Sequence, residues 1–257
     1  NGSPAYEGGI KVGDVITKVN DLDVTTKSIA DVANAIANSE NSKVKITILR
    51  DEKEMTFNLD VRKVDIPSIT YRTINDSTYY IGVETFSLTT SKQVREQINN
   101  LKNTNIKSLI IDLRNNTGGY LSTAEDMAKI FIEKGKVIYS IQDKSGTKAY
   151  KDNNAETSNL KIVVLINGSS ASASEVLAGA LKDSYGATLV GEKSYGKGKV
   201  QQAETLDDGS MLKYTIAKWL RPNGECVDGV GIIPDYEVIN TNGNDEQLQK
   251  AIELLNK

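Results

Sequence analysis

One serine and one lysine carry the strongest chemical signal in this sequence. Ser172 lies in the segment Gly168-Ser-Ser-Ala-Ser-Ala-Ser-Glu175, and Lys197 follows 25 residues later in Gly196-Lys-Gly198. The chain contains no histidine, so a serine nucleophile would need another general base. A neutral lysine amine can take the serine proton, and Ser-Lys pairs are a known variant of the catalytic triad. A lysine gives up its own proton more readily when it is buried, so we expect a catalytic Lys197 to be buried.

Each of these signals also has an ordinary structural interpretation. Serines such as Ser172 commonly cap helices, and Gly-Lys-Gly is a common surface turn. A phosphate loop is a poor alternative for Lys197, because the two-glycine spacing and the following serine or threonine are missing. The pair Gly118-Gly119 could be a tight turn, or could present backbone N–H groups as an oxyanion hole. Gln201 and Gln202 could be exposed strand residues, or one of them could orient the lysine amine.

The composition excludes several classes of protein. The net charge of −3 and the absence of a basic block argue against nucleic acid as a partner. With one cysteine and no histidine, the chain offers no Cys/His metal site, and we expect neither a metal nor a cofactor. No apolar run approaches membrane-spanning length. Residues 1–4 do not resemble a signal peptide, and we expect the chain to be a piece of a longer protein.

Periodicity divides the chain into two regions, 1–64 and 65–257. The first region shows strands at 15–19, 44–49 and 55–59 and a helix at 28–38, for which Ser28 is the expected N-cap. The second alternates strands and helices, which predicts an α/β fold. We expect its strands at 79–86, 108–113, 161–166 and 187–190, its helices at 91–101, 122–132, 172–182 and 245–255, and a hairpin or surface excursion within 135–160.

The first region resembles a PDZ domain, opened by Ser3-Pro-Ala and Gly9-Ile-Lys-Val-Gly-Asp14. In that family an extended peptide adds to a sheet edge beside the helix. The carboxylate-binding loop and its strand precede the Ser-Pro-Ala segment in the family. The resemblance therefore implies a PDZ-like domain that lacks its N-terminal strand. A small β-rich domain of another kind is the alternative.

The combination of four segments resembles the C-terminal processing proteases, also called tail-specific proteases. The segments are Asp112-Leu-Arg-Asn-Asn-Thr-Gly-Gly119, Ser170-Ala-Ser-Ala-Ser-Glu175, Gly191-Glu-Lys-Ser-Tyr-Gly-Lys-Gly-Lys-Val-Gln-Gln202 and Gly229-Val-Gly-Ile-Ile-Pro-Asp235. Their order and spacing match the family over nearly the whole chain, and a preceding PDZ unit is also a family feature. One departure is Thr117, where the family usually has proline.

This resemblance implies a serine endopeptidase with a ClpP/crotonase-like α/β core. Ser172 matches the nucleophile, Lys197 the general base and Gln201 the residue that positions the lysine. The oxyanion hole is matched by the backbone N–H groups of Gly118 or Gly119 and of Ala173.

The resemblance also implies partners and a compartment. The expected partners are protein or peptide substrates with accessible C-terminal tails, and homo-oligomerisation is left open. Family members in bacteria work outside the cytoplasmic membrane, with membrane contact only through an anchor absent from this chain. A lysine- and asparagine-rich composition with few prolines weakly favours a bacterial source. The resemblance further implies that the PDZ-like unit gates substrate access in the protease. The alternatives are a non-catalytic peptide-binding or scaffold protein on the same fold and, more distantly, a crotonase-type acyl-CoA enzyme.

Overall fold

The computed structural model describes residues 3–39, 43–62, 67–154, 157–206, 209–241 and 243–256. The chain forms two compact units, Asn1–Ile66 and Pro67–Lys257. Within the described residues, no helix is long and apolar enough to cross a membrane.

The first unit is an antiparallel sheet with two helices. Its elements are α1 (Pro4–Glu7), β1 (Val15–Val19), β2 (Leu22–Asp23), α2 (Ile29–Ala37), β3 (Lys43–Arg50) and β4 (Lys53–Asp60). The strands lie in the order β2-β1-β3-β4. Ser28 and Asp31 form the capping box at the start of α2, which confirms the N-cap expected from the sequence. A small apolar cluster, centred on Ile46 and Ile48, holds the sheet together.

The second unit combines a mainly parallel six-stranded sheet with a four-stranded antiparallel sheet. The first sheet has the order β14-β11-β10-β7-β6-β5 and the second the order β12-β13-β8-β9. The strands are β5 (Ile69–Asn75), β6 (Thr78–Val83), β7 (Ser108–Asp112), β8 (Val137–Asp143), β9 (Gly146–Lys151), β10 (Lys161–Ile166), β11 (Thr188–Gly191), β12 (Lys199–Thr205), β13 (Met211–Leu220) and β14 (Tyr236–Glu237). The helices are α3 (Thr90–Leu101), α4 (Leu121–Ala128), α5 (Ala173–Ala180) and α6 (Glu246–Leu255).

Helices cover both faces of the six-stranded sheet. The central strands β7 and β10 contain continuous apolar runs, residues 109–111 and 162–166, whose side chains alternate between two cores, as in strands buried on both faces. Leu109 and Ile111 belong to the larger core, which also contains residues of α3, α4 and α5. Ile110 belongs to a smaller core beneath α6. The expected α/β fold is confirmed, and α6 packs on the sheet through Ala251 and Leu255.

The structure corrects several element boundaries. The strand expected at 79–86 ends at Val83, and Phe86 instead makes an isolated bridge with Gly119. Helix α4 ends at Ala128 rather than Ile132. The strands β5, β12, β13 and β14 were not predicted. Their residues alternate weakly or are mostly exposed, so hydrophobic periodicity gave little signal there.

Candidate active site

Ser172 adopts a strained backbone conformation between β10 and α5. We call residues 167–172 the nucleophile turn. Ser172 is the N-cap of α5, with φ 58° and ψ −116°. A non-glycine residue in such a region costs about 1–3 kcal/mol, so surrounding contacts must hold it there. Strain of this kind is typical of a serine displayed at a strand-to-helix turn for chemistry.

The two neighbouring serines have structural roles instead. Ser170 and Ser174 are fully buried. Ser170 Oγ donates to the Leu113 carbonyl at 2.8 Å, and Ser174 Oγ donates to the Asn116 carbonyl at 2.8 Å. Both bonds fasten the nucleophile turn and α5 to the segment that follows β7. The middle serine is therefore set apart from its neighbours by geometry as well as by sequence.

Two glycines bring a second turn against Ser172. We call residues 116–119 the glycine turn. Gly118 has φ +110°, and a Cβ there would lie 3.0 Å from Ser172 Cβ. A Cβ on Gly119, at φ +144°, would lie 2.3 Å from the Phe86 carbonyl oxygen. Both positions therefore require glycine, and the turn meets Ala173 at the N-terminus of α5, where unpaired N–H groups favour negative charge.

The segment around Lys197 is tightly packed and is not an ordinary surface turn. We call residues 194–198 the lysine loop. A Cβ on Gly196 would lie 2.9 Å from the Gly231 nitrogen, and one on Gly198 would lie 2.6 Å from the Asp228 nitrogen. Trp219 Nε1 donates to the Lys197 carbonyl at 2.9 Å. The flanking glycines allow this close packing, and the backbone of Lys197 is held on both sides.

A buried carboxylate joins the nucleophile turn to the lysine loop. Glu175 is fully buried. One of its oxygens accepts from the N–H groups of Ser172 at 2.9 Å and Lys197 at 2.8 Å. The other accepts from Ser194 Oγ at 2.6 Å and the Gly196 N–H at 2.7 Å. Since one oxygen binds both backbone nitrogens, Glu175 fixes the spacing of the expected nucleophile and the expected base.

The expectation that Lys197 is buried is wrong in this structure. Its side chain is exposed and lines an open cleft of about 720 Å³. No hydrogen bond between Ser172 Oγ and Lys197 Nζ occurs among the described contacts. The glycine-flanked loop buries the backbone and directs the long side chain outward. The structure thus brings the two residues together through their backbones, while the Lys197 side chain lies in the open cleft.

Gln201 also lines this cleft, and Gln202 does not. Both lie on β12, where neighbouring side chains point to opposite faces. The Gln202 amide donates to Glu204 at 3.3 Å. Of the two glutamines, Gln201 is therefore the one that shares this cleft with Lys197.

An ion-pair cluster joins the end of β7 to the start of α6. Arg114 contacts Asp112 at 2.6 Å and Asp245 at 2.6 Å, which ties the start of α6 to the end of β7. Burial alone would lower the pKa of Arg114, but hydrogen bonds to Asp245 and Asp112 raise it. The hydrogen bond from Arg114 lowers the pKa of Asp245. Burial, followed by the neighbouring Asp112 charge, raises the pKa of Tyr80.

Among the residues that the structure describes, no group of three or more cysteine or acidic side chains is arranged to hold a metal ion. Sequence reasoning assigned no role to Glu175, Asn116 or Ser194. Glu175 had a signal, because its spacing of three from Ser172 is that of a capping box. The other two had none.

Comparison with known proteins identifies the family. The pattern of peptidase family S41 matches residues 77–238, and that of a PDZ domain matches residues 1–50. This chain belongs to peptidase family S41. The first unit is accordingly a PDZ domain, as the sequence predicted, and the family match covers every residue expected in the site.

Two curated relatives are described as probable CtpA-like serine proteases. One, from Staphylococcus aureus, is 38% identical over 92% of this chain and 48% of the relative. The other, from Staphylococcus haemolyticus, is 36% identical with the same coverages. The chain thus spans about half the length of the curated relatives it matches. Among solved structures, a photosystem II D1 C-terminal processing protease matches 100% of this chain and 70% of its own, with 28% identity and a TM-score of 0.64.

Proposed function

We propose that this chain is the catalytic part of a serine endopeptidase that uses a Ser172-Lys197 pair. The strained Ser172 backbone is the observation that carries the proposal. Membership of peptidase family S41 supports it, and so does the shared carboxylate of Glu175, which holds the backbones of Ser172 and Lys197 together.

In the proposed reaction Lys197 acts first as a base. Its neutral amine takes the Ser172 proton as Oγ attacks the peptide carbonyl carbon, and the carbonyl electron pair moves to the oxygen. Backbone N–H groups of the glycine turn and of Ala173 stabilise that oxyanion. The lysine ammonium then protonates the leaving amine. Water hydrolyses the acyl-enzyme by the same steps in reverse order, and Ser172 is regenerated.

The exposed Lys197 amine must move inward for this reaction. Its backbone is already placed by Glu175 and Trp219, so the proposed movement is a rotation of the flexible side chain. A substrate that fills the cleft would also exclude water and favour the neutral amine. Gln201 at the same cleft is the residue proposed to orient it.

The finer parts of the proposal come from the family resemblance. Substrates are proteins recognised near the C-terminus, the PDZ domain controls access, and the protein works outside the cytoplasm. The name of the D1 C-terminal processing protease describes the first of these activities for that protein. A non-catalytic peptide-binding protein remains the competing hypothesis, favoured by the exposed position of Lys197.

The deciding experiment replaces the Ser172 hydroxyl. Ser172→Ala should abolish hydrolysis of fluorogenic peptides and labelling by a fluorophosphonate, because the nucleophilic oxygen is lost. Ser170→Ala and Ser174→Ala are the matched controls and should keep substantial activity per folded molecule. Since each removes a buried hydrogen bond, each should lose about 1–3 kcal/mol of stability. Full turnover by a purified Ser172→Ala sample would refute the assignment.

Tail recognition is tested separately with paired peptides. Peptides ending in a free carboxylate should be cleaved faster than the same peptides ending in an amide. Equal rates would remove the tail specificity from the proposal and would leave the Ser172 chemistry intact.

A further inference from the structure

Asn116 is a fully buried amide in the glycine turn that neither the family roles nor the reaction described above use. It is only 1% exposed. Its Nδ2 donates to the Val83 carbonyl at 2.7 Å, at the end of β6. Its Oδ1 accepts from the Gly118 N–H at 2.8 Å. The side chain therefore bridges a strand end and the turn that lies against Ser172.

The backbone of the same residue holds the nucleophile turn. The Asn116 carbonyl accepts from the Ala171 N–H at 3.1 Å and from Ser174 Oγ at 2.8 Å. These two donors flank Ser172 in sequence. One residue thus fixes the glycine turn through its side chain and the serine through its main chain.

The two side-chain bonds need a side chain that both donates and accepts. Val83 offers a carbonyl, which only accepts, and Gly118 offers an N–H, which only donates. The amide of Asn116 satisfies both in a single orientation. An aspartate of nearly the same shape would place an oxygen against the Val83 carbonyl, and an alanine would leave both buried groups unpaired.

The bond to Asn116 occupies one of the three N–H groups expected for the oxyanion hole, those of Gly118, Gly119 and Ala173. The Gly118 N–H is already engaged. The N–H groups of Gly119 and Ala173 make no hydrogen bond to any other described residue. Because a Gly118 Cβ would lie 3.2 Å from the Ala173 nitrogen, the turn that Asn116 holds is directly beside the N-terminus of α5.

We propose that Asn116 is the positioning residue of the oxyanion hole: its amide holds the Gly118 N–H, and thereby leaves the Gly119 and Ala173 N–H groups to bind the oxyanion. This inference rests on the proposed function, since it requires that Ser172 forms an acyl-enzyme. Asn116 touches no reacting atom and acts through the glycine turn.

Asn116→Asp tests the proposal with Asn115→Asp as its matched control. Both variants add one negative charge to adjacent residues. Asn115 is exposed, and its Oδ1 accepts from Asn167 Nδ2 at 2.9 Å, a bond that aspartate also accepts. We expect Asn116→Asp to lower kcat at least about tenfold with KM changed less than about threefold, because the oxyanion forms only after binding. Asn115→Asp should stay within about twofold of wild type on both constants.

The rates are expressed per folded molecule, with the folded fraction taken from thermal unfolding at the assay temperature. A kcat for Asn116→Asp equal to that of Asn115→Asp would overturn the proposal. So would a loss of the same size in 1/KM and kcat. Failure of the proposed function looks different, because then wild type itself would show no Ser172-dependent hydrolysis.

A measurement on wild type covers the case in which Asn116→Asp fails to fold. Hydrogen exchange of the Gly118 amide, read by NMR, should be slow beside the exposed amide of Thr117, because it is bonded to Asn116 Oδ1. Exchange of Gly118 at the rate of an unprotected amide would refute the bond and the proposal with it.

Discussion

The nucleophile turn and the lysine loop are held by different means, although Glu175 bonds to both. The nucleophile turn is fixed through the buried side chains of Ser170 and Ser174, which bond to the segment after β7. The lysine loop is held by the buried Ser194 side chain and by the Lys197 main chain, which bonds to Glu175 and Trp219, and no hydrogen bond of the Lys197 side chain occurs among the described contacts. Buried hydrogen bonds therefore hold the Ser172 backbone in its strained conformation, whereas the Lys197 side chain lies exposed in the cleft.

This difference indicates where the site can be regulated. A strained residue held by many buried contacts has one available state, so Ser172 does not move easily. A lysine side chain has four rotatable bonds, and it changes position at low free-energy cost. We therefore expect control of activity to act on Lys197 rather than on Ser172, and the predictions below test this contrast.

The largest effect is expected at the lysine. Lys197→Arg should be nearly as inactive as Lys197→Ala, because arginine keeps the positive charge but cannot give up its proton. The measurement is the rate of acylation across pH, which should rise with pH in wild type as the amine becomes neutral. With no histidine in the chain, a histidine limb near pH 6.5 cannot occur. Activity in the arginine variant would show that Lys197 acts as a cation.

The next largest effect is expected where the two segments are joined. Glu175→Gln replaces an oxygen that accepts hydrogen bonds with an NH₂ group facing N–H or O–H donors. We expect kcat to fall about 10- to 100-fold and stability to fall by about 1–3 kcal/mol. The fluorescence of Trp219, the only tryptophan, should change because its indole N–H bonds to Lys197.

Glu192→Gln is the matched control for that variant. It makes the same change of charge at the end of β11, and the new amide oxygen can still accept the bond from Gln247 Nε2, now 3.3 Å long. Equal activities of the two glutamine variants would mean that Glu175 does not set the spacing of the site.

The sequence led to a prediction for the residues that would carry chemistry and to none for the residues that hold them. Ser172 and Lys197 were predicted because a nucleophile in a chain without histidine needs another base and because both match the family motifs. Glu175 was overlooked although its spacing from Ser172 is that of a capping box, because such boxes usually only cap the start of a helix. Asn116 could not be found, since its partners Val83 and Gly118 contribute backbone atoms that leave no pattern in the sequence.

The prediction of strands from the sequence was limited in a similar way. Strands such as β7 and β10 were predicted at nearly their observed bounds, because residues buried on both faces form continuous apolar runs. The hairpin of β12 and β13 was missed because most of its residues are exposed. The prediction that Lys197 is buried was wrong. A lysine that acts as a base needs to be buried during the reaction, and this does not require that its side chain is buried at rest.

The smallest effect is expected from substitutions on β12, where the neighbouring residues Gln201 and Gln202 can be compared. Gln201 lines the cleft, and Gln202 bonds to Glu204 away from it. Gln201→Ala should lower kcat by several-fold and should not abolish activity, because an orienting residue adds less than the base it orients. Gln202→Ala should stay within about twofold of wild type, as expected for an exposed substitution. If Gln202→Ala were severely impaired and Gln201→Ala silent, the register assigned to the lysine's partner would be off by one residue. If both were silent, the Lys197 amine would need another partner in its catalytic position.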